Sequence, residues 1–148
     1  MQLNKVIVVR HAKDSNNQLT LEGVAQAKLA AKQIKTLLGG KKAIVLATRA
    51  KRARTTAAII SRELGSGPTL RYTDGDLGRL ATELDPQAYA IILVGHGPDL
   101  ERHVLRYAAQ GFRKLAEPRL AYSNAAFWCA DLEKRTLYCG TRLLKKVA

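Results

Sequence analysis

Two apolar runs, Val6-Ile7-Val8-Val9 and Ile91-Ile92-Leu93-Val94, constrain the fold of this chain more than any other feature. Each is about strand length, and neither alternates with polar residues, which is the pattern of strands covered on both faces. Each run also ends on a histidine. Arg10-His11-Ala12 follows the first, and Gly95-His96-Gly97-Pro98 follows the second. Open α/β sheets hold their ligands at the carboxyl ends of their strands. The sequence therefore places two imidazoles where such a sheet would put a site.

The rest of the chain alternates strand and helix. Residues 5–10 read as a strand. Thr20 is a suitable N-cap for a helix reaching Leu38, with Glu22 near its positive end and Gly39-Gly40 as its stop. Leu21, Val24, Ala27, Ala31, Ile34 and Leu38 follow helical spacing along one face. Residues 43–47 form a second strand. A helix is expected over residues 49–64, capped by Thr48 and stopped by Gly65. Residues 69–73 read as a short strand, and Asp74-Gly75-Asp76 opens a loop or short helix reaching about Leu84. After the strand over residues 90–94, Pro98 begins a helix to about Gln110, at a first-turn position where proline is tolerated. Residues 124–142 read as a hairpin whose aromatic residues Phe127, Trp128 and Tyr138 are explained by packing. The expected architecture is a three-layer α/β/α sandwich with a mostly parallel sheet and minimal insertions. The 148 residues form one domain on this reading, 1–148, with no repeat and no linker.

Composition narrows the setting. Hydrophobic residues make up 47% of the chain, as in a globular protein. No apolar run approaches membrane-spanning length, and Met1-Gln2-Leu3-Asn4-Lys5 lacks a signal-peptide pattern, so a cytoplasmic setting is expected. The net charge of +13 predicts attraction to anions and non-specific contact with nucleic acid. Specific nucleic-acid binding is not expected, because the eight aromatic residues form no stacking array. Cys129 and Cys139 are too far apart for a CxxC motif, and clustered zinc ligands are lacking. A turn centred on Lys134 would set the two cysteines opposite each other, where a disulfide is geometrically conceivable. Two buried thiols are the expected state in a reducing compartment.

Phosphoryl transfer through histidine needs a neutral imidazole nitrogen and fixed positive donors around the non-bridging oxygens. His11 is the candidate nucleophile, and Arg10 and Arg52 are candidate clamps whose planar guanidinium can bind two oxygens at once. His96 is a second donor at a strand-to-helix junction. Nearby cations favour neutral His11. Lys13, Asn17 and Gly97 are further candidate contacts. Lys13 reads either as a phosphate contact or as pointing to water, Asn16 and Asn17 either as donors or as plain loop residues, and Arg49 and Arg54 as solvent-facing in preference to steering an acidic substrate. His103, beside Glu101 and Arg102, reads as a surface residue.

This pattern resembles the histidine phosphatase superfamily, the phosphoglycerate-mutase-like proteins. Arg10-His11-Ala12 is similar to its Arg-His-Gly/Ala signature. Leu19-Thr20-Leu21-Glu22-Gly23 with Gln26-Ala27 is similar to its Leu-Thr-x-x-Gly-x-x-Gln-Ala helix start. Residues 48–57 are similar to its Ser-x-x-x-Arg-Ala-x-x-Thr-Ala segment, which selects Arg52 from the basic run. Val94-Gly95-His96-Gly97-Pro98 is similar to its second histidine motif. The resemblance implies a phosphohistidine intermediate on His11, no metal and no cofactor.

Eight residues separate His11 from Thr20, so the first loop is short, and the short form most resembles bacterial phosphohistidine phosphatases. The expected substrate is a phosphohistidine or another phosphorylated protein side chain. The alternatives are a small-molecule phosphomonoesterase acting on sugar or nucleotide phosphates, and an inactive phosphate- or nucleic-acid-binding module. Asp74 and Asp76 are the candidate general acids, with turn formation as the competing role.

Overall fold

The computed structural model describes residues 3–65, 70–71, 83–84, 87–115 and 123–141. Five strands carry the centre of one sheet: β1 (Lys5–Arg10), β4 (Ala43–Ala47), β6 (Ala90–Gly95), β8 (Phe127–Asp131) and β9 (Thr136–Gly140). Two-residue strands β5 (Leu70–Arg71) and β7 (Arg113–Lys114) complete it in the order β5-β4-β6-β1-β8-β9-β7. Strands β5, β4, β6 and β1 are mutually parallel, and β8 alone runs against them. A separate hairpin pairs β2 (Asp14–Ser15) with β3 (Gln18–Leu19). The fold is thus the expected α/β sandwich with a mostly parallel sheet. The sequence reading missed the β2–β3 hairpin and the edge strand β7.

Helices α1 (Leu21–Leu38) and α2 (Lys51–Leu64) cover one face, and α3 (Gly97–Ala109) covers the other. The side-chain period of a strand divides the two cores. Ile7, Val9, Val45 and Ile92 pack with Ala30, Ala31 and Ile34 of α1 and Ala53, Ala57 and Ile60 of α2. Val6, Val8, Leu46 and Leu93 pack with Leu100 and Val104 of α3. Ala27, Ala30 and Ala31 line the buried face of α1, and Ala53 and Ala57 share that of α2 with Ile59 and Ile60. Gly39 and Gly65 end α1 and α2 in the left-handed conformation, as glycine stops do.

In strand β8, Phe127 and Trp128 are both buried, on opposite faces, because helices cover both sides. Two expectations need correction. The cysteines do not face each other. Cys129 stands opposite Tyr138 and Cys139 opposite Trp128, so the one-residue offset sends the thiols to opposite faces of the sheet. Both are free and buried, and burial pushes each thiol up to about 12. His103 is not a surface residue. It sits on the inner side of α3, edge-on to the Tyr107 ring at 5.1 Å between centroids.

Burial pushes His103 down to about 4, outweighing the backbone hydrogen bonds at Trp128 and Val6 that favour its charged form. The unfolded chain takes up a proton near the usual histidine value of about 6.5, before the folded chain does. The stability of a neutral His103 is therefore complete above that value and is lost as pH falls toward 4. Between pH 7 and pH 5 the loss attributable to this group is about 2 kcal/mol. His103→Phe, which keeps a ring against Tyr107, is expected to shrink the difference in urea-unfolding free energy between those pH values by that amount. An unchanged pH dependence would show that another group sets it.

Candidate functional site

The site forms where β1, β4 and β6 end side by side. Arg10 pairs in register with Gly95, so the segments leaving β1 and β6 emerge together. His11 follows β1, Thr48 follows β4, and His96 follows β6 as the residue preceding α3. The His11 and His96 rings meet edge to face, 5.4 Å between centroids and 68° between planes.

The chain from His11 to Lys13 leaves the sheet, and its backbone groups find partners from five other segments. His11 N donates to Gly95 O at 2.9 Å, and His11 O accepts from Ala125 N at 3.1 Å. Ala12 N donates to Thr56 Oγ1 at 3.0 Å, and that hydroxyl donates onward to Arg52 O at 2.8 Å. Lys13 N donates to Gln26 Oε1 at 3.0 Å, while Lys13 O accepts from Thr20 N at 3.1 Å. Thr20 Oγ1 also caps α1 by accepting from Gly23 N at 3.0 Å. Gly23 allows this approach: a Cβ there would stand 2.1 Å from Lys13 O. The Thr-x-x-Gly-x-x-Gln spacing is thus a clamp on the backbone of one loop.

His11 is 7% exposed, and its two ring nitrogens have opposite roles. Nδ1 is 3.0 Å from Ala12 O, which can only accept, so Nδ1 carries the proton. Nε2 accepts from Arg52 Nε at 3.3 Å, which can only donate. Burial is the largest influence lowering the His11 pKa, and the Arg52 and Arg10 cations add to it. The Ala12 carbonyl and Asp14 oppose them. The balance favours a neutral imidazole with its lone pair on Nε2, beside the guanidinium of Arg52.

Arg52 is itself fixed. Asn17 Oδ1 accepts from Arg52 N at 3.0 Å and from Arg52 Nη1 at 3.2 Å. Helix α2 begins at Lys51, two residues later than expected, and Ala50 supplies no side-chain cap. Thr48, the expected cap, instead places its hydroxyl 3.4 Å from His96 Nε2. Asn17 from the β2–β3 turn fills the vacant role, satisfying one of the first-turn N–H groups that a helix leaves unpaired. Asn16 and Asn17 both have positive φ, 52° and 66°, as a two-residue turn of the primed type requires.

The expected residues separate as follows. His11, Arg10, Arg52, His96, Asn17 and Gly97 gather at the strand ends. A Cβ on Gly97 would lie 4.0 Å from Arg10 Nε, so α3 begins against that guanidinium. Lys13 is not in this group: its Nζ pairs with Glu22 Oε1 at 3.0 Å on an exposed surface. Arg49 and Arg54 are exposed. Asp74 and Asp76 lie outside the described residues. Sequence reasoning missed Thr48, Thr56 and Asp14. Thr56 carried a signal in its own segment, since a threonine buried among alanines on a helix needs a partner. Asp14 Oδ1 lies 3.8 Å from His11 Nδ1. Among the described residues, no group of three His, Cys, Asp or Glu side chains is arranged to hold a metal ion.

The chain is similar in fold to several solved structures. One is a protein from Agrobacterium tumefaciens assigned as the phosphohistidine phosphatase SixA, at 19% identity and a TM-score of 0.58, over 100% of this chain and 99% of that one. A second is phosphoglycerate mutase from Plasmodium falciparum, at 20% identity and a TM-score of 0.57, over 100% and 99% of the two chains. A third is mycobacterial glucosyl-3-phosphoglycerate phosphatase in complex with VO3, at 13% identity and a TM-score of 0.61, over 97% and 100%. These neighbours are histidine phosphatase superfamily proteins, and at such identities the likeness is one of fold. No protein-family profile and no curated protein sequence matches the chain.

Replacing Asn17 by glycine keeps the left-handed backbone and removes the tie on Arg52. Such a tie to a charged donor is worth about 1.4 kcal/mol or more. Asn17→Gly is expected to weaken binding of inorganic phosphate about tenfold, read by NMR titration of the His11 and His96 ring protons. Equal affinity in the two proteins would show that Arg52 needs no such support.

Proposed function

We propose that the protein is a phosphatase in which His11 Nε2 takes up the phosphoryl group and water then releases it. One observation carries this reading: the lone pair of a buried, neutral imidazole is aimed by a proton-bearing Nδ1 on one side and met by Arg52 on the other. Arg10, Arg52 and His96 act as positive or hydrogen-bonding donors for the non-bridging oxygens, and their fixed placement favours the charge distribution of the transition state. Gly97 adds its helix N-terminus beside Arg10. Arg52 leaves Nε2 to grip a phosphoryl oxygen as the substrate enters, which frees the lone pair for in-line attack.

The preferred substrate is a phosphohistidine, or another phosphorylated protein side chain. Among the described residues Asp14 is the carboxylate within 4.0 Å of His11, and it stands at Nδ1, away from the attacking nitrogen. An ester oxygen needs a proton as it leaves, whereas the imidazole leaving from a phosphohistidine can carry its own. The similarity to SixA agrees with this preference. A small-molecule ester is the second reading, favoured by the likeness to the mycobacterial phosphatase that holds VO3.

Phosphate release from a phosphohistidine peptide and from para-nitrophenyl phosphate, with wild type beside His11→Ala, tests both. Turnover is expected to fall at least about a thousandfold in the variant, as for loss of other covalent nucleophiles. The peptide is expected to be the better substrate by kcat/KM. Equal activity in the variant would remove His11 from the mechanism. A strong preference for the ester would move the substrate to the second reading.

A further inference from the structure

We propose that Asp14 is the counter-charge for the imidazolium that forms on His11 when Nε2 accepts a phosphoryl group. The proposal rests on the phosphatase reading above. It starts from the two oxygens of one carboxylate. Asp14 Oδ2 accepts from Asn17 N at 3.1 Å and holds the β2–β3 turn. Oδ1 is not needed for that turn and lies 3.8 Å from His11 Nδ1. The carboxylate is mostly shielded, with 22% of its side chain exposed, so its field on the ring is only partly screened.

The chemistry gives this placement a use. Neutral His11 attacks with the Nε2 lone pair, forming an N–P bond while the bond from phosphorus to the leaving oxygen or nitrogen breaks. The leaving atom keeps the electron pair, protonated by solvent or by its own ring. His11 retains its Nδ1 proton, so its ring becomes an imidazolium. Water then attacks phosphorus, the N–P pair returns to Nε2, and the water proton passes to phosphate or solvent. The ring is charged only between the two attacks. A charge that develops during reaction is where an opposite fixed charge accelerates the step rather than merely tightening binding.

Every other ionisable group described around the ring works the opposite way or adds no negative charge. Arg10 from β1 and Arg52 from the first turn of α2 repel a charged ring. His96, ahead of α3, offers only an imidazole edge. The Ala12 carbonyl accepts the Nδ1 proton but carries no net charge. Asp14 supplies the one full negative charge among the described residues at the ring, on the side that keeps the proton. Holding that proton also keeps His11 a good leaving group when water attacks.

Asp14→Asn separates the two roles, since an amide oxygen can still accept from Asn17 N while the charge is gone. In that variant the NMR titration of His11 is expected to move to lower pH by about half a unit or more. The acid limb of the pH–kcat/KM profile is expected to move with it. The kcat is expected to fall about tenfold with KM within about twofold, the signature of an interaction made only during reaction. Asp14→Ala, which also frees the turn, should in addition weaken phosphate binding. An unmoved His11 titration in Asp14→Asn, whatever happens to turnover, reduces Asp14 to a turn residue and overturns the proposal. Wild-type protein that releases no phosphate would instead overturn the phosphatase reading, and the His11 titration would still decide whether Asp14 acts on the ring.

Discussion

The structure turns on how three residues leave a parallel strand. A parallel sheet satisfies its backbone by pairing, and a chain that steps off its carboxyl end loses those partners. His11 and Ala12 step off β1 into a buried setting, where each unpaired N–H or C=O costs the equivalent of a lost hydrogen bond, and Lys13 follows them out to the surface. The remedy is distributed. Gly95, Thr56 and Gln26 accept the N–H groups of residues 11–13, while Ala125 and Thr20 donate to carbonyls there. Even the carbonyl of Ala12 is used, by His11 Nδ1. Satisfying this backbone fixes the orientation of the imidazole, and that orientation decides which nitrogen is free.

The sequence made the scaffold legible because its signals are local. Apolar runs of strand length gave β1, β4 and β6, and helical spacing with Thr20 and the glycine stops gave α1 within its observed bounds. The candidate site was legible in part for the same reason: His11 and His96 each sit one residue past a strand that the apolar runs required. What escaped was non-local. The cap of α2 comes from Asn17, 35 residues away, so Thr48 looked like the cap and was free to meet His96. His103 looked exposed because its neighbours Glu101 and Arg102 are exposed, but the helical period turns the next residue inward. The cysteine placement failed on register alone, where a shift of one residue changes the face.

The charge around His11 reflects two opposed requirements. Arginines that would grip a phosphoryl group in the proposed mechanism also depress the basicity of the imidazole beside them. Burial pushes in the same direction and more strongly. The result is an imidazole held toward its neutral form, one that would resist the positive charge the proposed phosphorylation places on it. The Ala12 carbonyl and the Asp14 carboxylate stand on the other side of the ring, at the nitrogen that keeps its proton. Their position lets the site be cationic toward the substrate and less cationic toward the ring.

The eight residues between His11 and Thr20 therefore perform several tasks at once. Their backbone anchors the start of α1 through Lys13, their turn residues adopt the left-handed conformation that asparagine tolerates, and Asn17 both caps α2 and holds Arg52. Asp14 holds the turn with one oxygen and approaches His11 with the other. A longer loop could supply the same contacts one at a time. In a loop this short each residue is tied to the next, so a change in the turn is felt at Arg52, and a change at Arg52 is felt at the lone pair of His11. The spacing from histidine to helix cap is thus a mechanical constraint on the site as well as a connection between two elements.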